Sequence, residues 1–278
     1  MIRTTPALRR AAITVAVALA VVTAGVPAAA SAATLPGTGV YLVGSQIAPT
    51  TYRSTNAIST YCSWQRLKNL SGALSGVIES GIGKGQQIVT IASTDKAFQT
   101  SGCGTWVPLS ALPTSPKTSF GGGTLSVAKQ ITPTTYRSSN SAATYCTWSR
   151  LSNFSGSYTA IIAVGIGKGQ QIVTIKAGDK GFDSAECGTW TRLSTLTTAR
   201  KTSFGEGTLS VAKQVVPGTY KSSNSSLVSC NWSRLKNFDG LYTSSIASGT
   251  GKGPRTVTIA ASDVGFQSSG CGTWKKIG

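Results

Sequence analysis

Six cysteines and the complete absence of histidine set the chemistry open to this chain. A cysteine can close a disulfide, hold a metal or attack as a thiolate, and the last two usually need a partner. Cys62 and Cys103 recur as Cys146 and Cys187 and again as Cys230 and Cys271, with no C-x-x-C spacing anywhere. With no histidine to complete a metal site or act as base, the thiolate readings lose their support. Fifteen pairings are formally open to six cysteines. Two per copy in an exported chain favour Cys62 with Cys103, Cys146 with Cys187 and Cys230 with Cys271.

Carboxylates are the other source of chemistry, and the chain has only eight. Asp95, Asp179 and Asp263 form the single acidic column present in every copy, so no second repeated acid pairs with them for glycoside hydrolysis. Their expected roles are to cap a turn or to partner Arg66, Arg150 and Arg234. No catalytic residue, metal ligand or cofactor is assigned, and the chain is expected not to be an enzyme. GIGKG at 81–85 and 165–169 lacks the spacing and the Ser or Thr of a phosphate loop and is expected to be a β-turn with a solvated lysine.

These residues are positioned by a repeat. Trp64, Trp148 and Trp232, like the two cysteine columns, stand 84 residues apart without a gap, and so do Trp106, Trp190 and Trp274. TYRS, TYRS and TYKS, then GKG, then IVTI, IVTI and TVTI, then CGTW keep the same register. A fixed period of this kind reads as tandem copies of one unit. The copies are placed at 33–109, 121–193 and 205–278, with linkers at 110–120 and 194–204 rich in Ser, Thr, Ala and Pro. Three separately folded beads are expected in preference to one continuous solenoid.

Within a copy, β-branched and aromatic runs alternate with Gly, Pro, Asn and Ser, while charged residues make up only 12% of the chain. The expected fold class is all-β, with about six short strands per copy forming a small sandwich or partly open barrel closed by its disulfide. Ile88 and Thr90 become Thr256 and Thr258, whereas Val89 and Ile91 stay apolar as Val257 and Ile259, so Val89 and Ile91 face inward. Trp64 and its counterparts share a face with a half-cystine and are expected to pack on it. Trp106, Trp190 and Trp274 fall on the opposite face unless the intervening glycine makes a bulge, and are candidate stacking platforms for sugar rings.

Residues 1–32 carry the parts of a cleaved signal peptide: Arg3, Arg9 and Arg10, an apolar run from Ala11 to Val26, and Ala30-Ser31-Ala32. The run is too short to span a bilayer, and no later segment is long enough. Cleavage takes three of the 26 bases and none of the eight acids, leaving a net charge of +15. The bases are spread by column, as Arg53, Arg137 and Lys221 and as Lys84, Lys168 and Lys252. Columns of that kind suit an anionic polymer held by many weak contacts. No basic cluster interleaved with aromatics points to specific nucleic-acid binding.

The combined motifs resemble a secreted domain widespread in actinobacteria, found singly or repeated. They are GVYLVG at 39–44, PTTYRS and PGTYKS, CSWQRL, CTWSRL and CNWSRL, DKGF at 179–182, and GCGTW at 102–106 and 270–274. Ala97 and Glu186 depart from the pattern, each replacing a glycine. The resemblance covers nearly all of the mature chain and implies an extracellular or wall-associated β-domain with no settled activity. The expected role is secreted and non-enzymatic, binding or decorating the cell envelope through an anionic cell-wall polymer or glycan. A protein partner, including a target of inhibition, is the alternative, and a hydrolase the remote one.

Overall fold

The computed structural model describes residues 33–278, so the leader expected at 1–32 lies outside the described residues. Each copy contains eight strands, not six. In the first copy they are β1 (Leu35–Pro36), β2 (Gly39–Leu42), β3 (Thr51–Ser54), β4 (Tyr61–Leu67), β5 (Val77–Lys84), β6 (Ile88–Thr90), β7 (Ala97–Ser101) and β8 (Thr105–Pro108). They form two antiparallel four-stranded sheets, in the orders β1-β8-β3-β6 and β2-β7-β4-β5. Copies two and three repeat this arrangement, and the fold is all-β with no closed barrel. β1 and its counterparts are two residues long, too short for alternation to show. The strands Val77–Lys84 and Ile161–Lys168 run through the GIGK expected to be a β-turn, the chain turning only at Gly85 and Gly169, and their lysines lie over tyrosine rings instead of standing free in solvent.

One core fills the space between the two sheets of a copy. Tyr52, Val89 and Trp106 come from the first sheet and Cys62, Trp64 and Phe98 from the second, all buried. The inward assignment of Val89 and Ile91 therefore holds. Phe98 meets Trp106 edge to face at 5.2 Å, and the same pair recurs as Phe182 with Trp190 and Phe266 with Trp274. Trp106, Trp190 and Trp274 are fully buried, and each indole N–H donates to Thr100, Ser184 or Ser268 Oγ at 2.9 to 3.0 Å. They are core residues and not stacking platforms. The glycine between half-cystine and tryptophan (Gly104, Gly188, Gly272) sits at φ 66° to 67°, which shifts the parity and turns the ring inward.

Cys62–Cys103, Cys146–Cys187 and Cys230–Cys271 are the disulfides, with Cα atoms 4.3 to 4.4 Å apart. Each ties β4, or its counterpart, to the turn that follows the β7 position. The segments read as linkers are structured. β9 (Ser119–Phe120) and β17 (Ser203–Phe204) pair with the strands that begin at Trp190 and Trp274, as β1 pairs with β8. Lys117 and Lys201 bond to the backbone at 130–132 and 214–216. Buried Phe120 and Phe204 explain this, because a single large apolar side chain outweighs the polar residues around it.

Replacing Cys146 and Cys187 together by alanine should remove on the order of 4 kcal/mol from the second copy, the chain-entropy value for a loop of this span. Differential scanning calorimetry should show that loss as a lowered transition. An unchanged thermogram would assign closure of the copy to its core alone.

Candidate functional site

The copies do not behave as separate beads. In each, β6 is the edge of one sheet and β5 the edge of the other, which leaves one side of the sandwich open. The loop at 153–157 of the second copy fills that side in the first. Phe154 O accepts from Thr90 N–H at 2.7 Å, and Ser155 O accepts from Arg66 Nη1 at 2.8 Å. Gly156 lies against the Trp64 ring so closely that a Cβ there would stand 2.5 Å from Cη2. The loop at 237–241 of the third copy does the same to the second. Phe238 O bonds Thr174 N–H at 2.7 Å, Asp239 O bonds Arg150 Nη1 at 2.7 Å, and Gly240 covers Trp148.

Arg66 reaches this position because it is already held. Its Nε and Nη2 grip both oxygens of Asp95 at 2.7 and 2.9 Å, and Asp95 Oδ2 also accepts from Ala92 N–H. The aspartate thus does both things expected of it, capping the turn and pairing the arginine. Arg150 with Asp179 and Arg234 with Asp263 repeat the fork. A carboxylate occupied on both oxygens is not poised for acid or base work.

Around this joint the contacts are also repeated. Gln86 O accepts from Thr124 N–H at 2.7 Å, while Gln86 Nε2 reaches Thr124 O and Gln130 Oε1. Gln170, Thr208 and Gln214 form the matching set. Ile88 and Ile172 stand on the outer face of β6 and β14 (Ile172–Thr174), yet both are buried. Ile172 clusters with Leu235 and Phe238 of the third copy. Sequence reasoning missed the loops and the glutamines. The recurrence of Gly72, Gly156 and Gly240 was the available signal.

The two departures from the family pattern are explained here. Gly181 and Gly265 lie under Phe154 and Phe238, where a Cβ would come within 2.4 and 2.3 Å of the ring. The first copy has Leu70 in place of that phenylalanine, so Ala97 fits. Glu186 takes φ 57° where Gly102 and Gly270 have φ 70° and 72°, and its carboxylate pairs with Lys84 of the first copy at 2.9 Å. That contact raises the Lys84 pKa.

A groove remains beside each joint. The first is lined by Trp64, Glu79, Phe154, Tyr158 and Asp183 among others, the second by Trp148, Phe238, Tyr242 and Gln267. Burial pushes the Asp183 carboxyl above its usual range, opposed by the hydroxyl of Thr124 at 2.7 Å. Glutamine occupies this position in the other copies, as Gln99 and Gln267, so paired acids are not a property of the grooves. Among the described residues, no cluster of His, Cys, Asp or Glu is arranged to hold a metal.

The two basic columns do not merge. Arg53, Arg137 and Lys221 project from the outer face of the sheet containing β3, beside Ile88, Ile172 and Thr256. Lys84, Lys168 and Lys252 end the β5-type strands on the other sheet, where Lys84 and Lys168 lie over the rings of Tyr61 and Tyr145 at 5.2 and 5.0 Å. The columns therefore occupy opposite faces.

Comparison with known proteins follows the same division. The family described as the Rv1352-like extracellular domain matches residues 33–107, 117–191 and 201–275. Uncharacterized protein Rv1352 of Mycobacterium tuberculosis (strain H37Rv) and uncharacterized protein Mb1387 of Mycobacterium bovis are each 33% identical over 88 residues. The alignment covers 27% of this chain and 71% of the relative. No solved structure matches.

Two outcomes follow for stability. Arg150→Met should destabilise the chain by about 3 to 5 kcal/mol, since it strands Asp179 in the interior and frees Asp239 O; urea denaturation measures it. Asp183→Gln should stabilise at neutral pH, because a carboxylate with a raised folded pKa loses stability as pH rises from its unfolded value through its folded one. The gain should vanish as pH falls below the ordinary aspartate range, and a gain that persisted there would rule out this cause.

Proposed function

We propose that this chain, which belongs to the Rv1352-like extracellular domain family, is a non-enzymatic binding rod that holds an anionic envelope polymer or glycan through repeated weak contacts. The observation that carries this reading is the joined stacking of the copies, which sets equivalent basic side chains at a fixed repeat. The strongest candidates are Arg53, Arg137 and Lys221, on the outer face of the β3-type sheet. Lys221 faces Lys275 across its strand pair, which concentrates charge at the third copy. A rigid spacing lets each contact raise the effective concentration for the next.

The non-enzymatic part rests on residue supply. Histidine is absent, and the repeated aspartate is committed to an arginine. Location outside the cell follows from the family.

A second reading has its own support. Tyr145, Val164 and Ile166 are 56%, 60% and 65% exposed and share the outer face of the sheet containing β12 (Tyr145–Leu151) and β13 (Ile161–Lys168). An apolar patch of this kind fits a protein partner.

Salt separates the two. Binding of the mature protein to an immobilised anionic wall polymer should weaken steeply between low and physiological ionic strength and fall further in an Arg53→Ala, Arg137→Ala, Lys221→Ala variant. Binding that survives high salt and instead disappears on Val164→Ser with Ile166→Ser would favour the protein partner.

A further inference from the structure

Among the described residues no loop packs on the open side of the third copy, and that side differs from the two that are filled. Trp232 is half-buried where Trp64 and Trp148 are 5% exposed. The Arg234 side chain is 24% exposed, against 9% and 2% for Arg66 and Arg150, and its Nη1 finds no acceptor. The core of the joint is therefore still present, ready to take a loop like 153–157.

Three residues at that face have changed, two of them at positions that meet the next copy in the inner joints and one beside them. Gln86 and Gln170, whose side chains clasp the next copy, become Pro254. Gln87 and Gln171, both buried, become Arg255. Ile88 and Ile172, the apolar seat for the following copy, become Thr256, which is exposed. Proline lacks the side-chain amide of the clasp, and proline and charge at a sheet edge deter further pairing. A polar seat forfeits the burial of an isoleucine.

The opposite end of the chain is altered in a complementary way. The first copy keeps the turn Asn69-Leu70-Ser71-Gly72, with Gly72 at φ 73°. It carries Leu70 in place of phenylalanine and Val40 in place of threonine, 56% and 49% exposed. Its carbonyls could reach Arg234 and Thr258, but the apolar knob has no apolar seat to enter.

We propose that Pro254, Arg255 and Thr256 make the open side of the third copy a capped face, which prevents head-to-tail joining of one molecule to the next. Without such a stop the joint is heterologous, since different surfaces meet, and heterologous contacts that do not close extend into filaments. Terminal units with polar outer faces serve this purpose in repeat proteins. The inference does not depend on what the rod binds.

Sedimentation equilibrium on the mature protein tests it. The natural chain should stay monomeric over a hundredfold range of concentration. A chain restored at both ends, with Pro254→Gln, Arg255→Gln and Thr256→Ile together with Leu70→Phe, Ala97→Gly and Val40→Thr, should show an average mass at least doubling over that range. Arg234→Met on the restored background should return it to monomer, since the joint then loses its central donor. Circular dichroism and intact disulfides confirm that each variant is folded. Two results would overturn the proposal: concentration-dependent chains of the natural protein, or a folded restored variant that remains monomeric throughout.

Discussion

The guanidinium of one recurrent arginine is divided between two tasks, and the architecture depends on that division. Two of its nitrogens bind the aspartate that shapes the turn before Phe98, Phe182 or Phe266; in the first two copies the third reaches a backbone carbonyl of the next copy. Taking both charges out of water is costly, and the fork with the turn's N–H returns much of that cost. The last nitrogen would still be unsatisfied without a neighbour. A copy in the array thus completes its interior with atoms from outside itself.

This makes stacking more than adjacency. A unit of about 75 residues buries a modest fraction of its surface and relies on its disulfide. In the array it also gains cover for Trp64 or Trp148, a partner for an edge-strand N–H and a seat for an apolar side chain. Stability then divides into a term for each copy and a term for each joint, as in other repeat proteins. Most of the joint's hydrogen bonds use backbone carbonyls, so it tolerates Ser155 in one copy and Asp239 in the other. Where a side chain is used, it adjusts locally: Lys84 with Glu186 at the first joint, Lys176 with Asp239 at the second.

The legible part of the fold was what a strict repeat displays. Cysteine pairing, the inward face of Val89 and Ile91, and the Arg66–Asp95 pair were all readable from recurrence and alternation. The joints were not, because a carbonyl oxygen carries no residue type and Arg66 satisfied by Ser155 looks the same in sequence as Arg66 in water. Trp106 was misjudged for a related reason: strand parity assumes an unbroken extended backbone, and Gly104 at φ 67° breaks it. The clearest overlooked signal was the replacement of Ile88 and Ile172 by Thr256. It separates inward from outward positions on this strand, and it also marks the outer face as covered in two copies and bare in the third.

That distinction bears on where a repeated ligand can be held. The linings of the grooves beside the two joints diverge, with Glu79 and Asp183 at one and Gln267 in place of that aspartate at the other. A polymer recognised in the grooves would meet different charge at each step. The outer face of the β3-type sheet offers a cation in every copy instead, with Arg53 and Arg137 beside the joints and Lys221 at the exposed end. Because the joints fix the spacing of these cations, the entropy of arranging them is lost on folding and not on binding. A flexible string of beads with the same charge would have to lose that freedom again each time a further copy engaged.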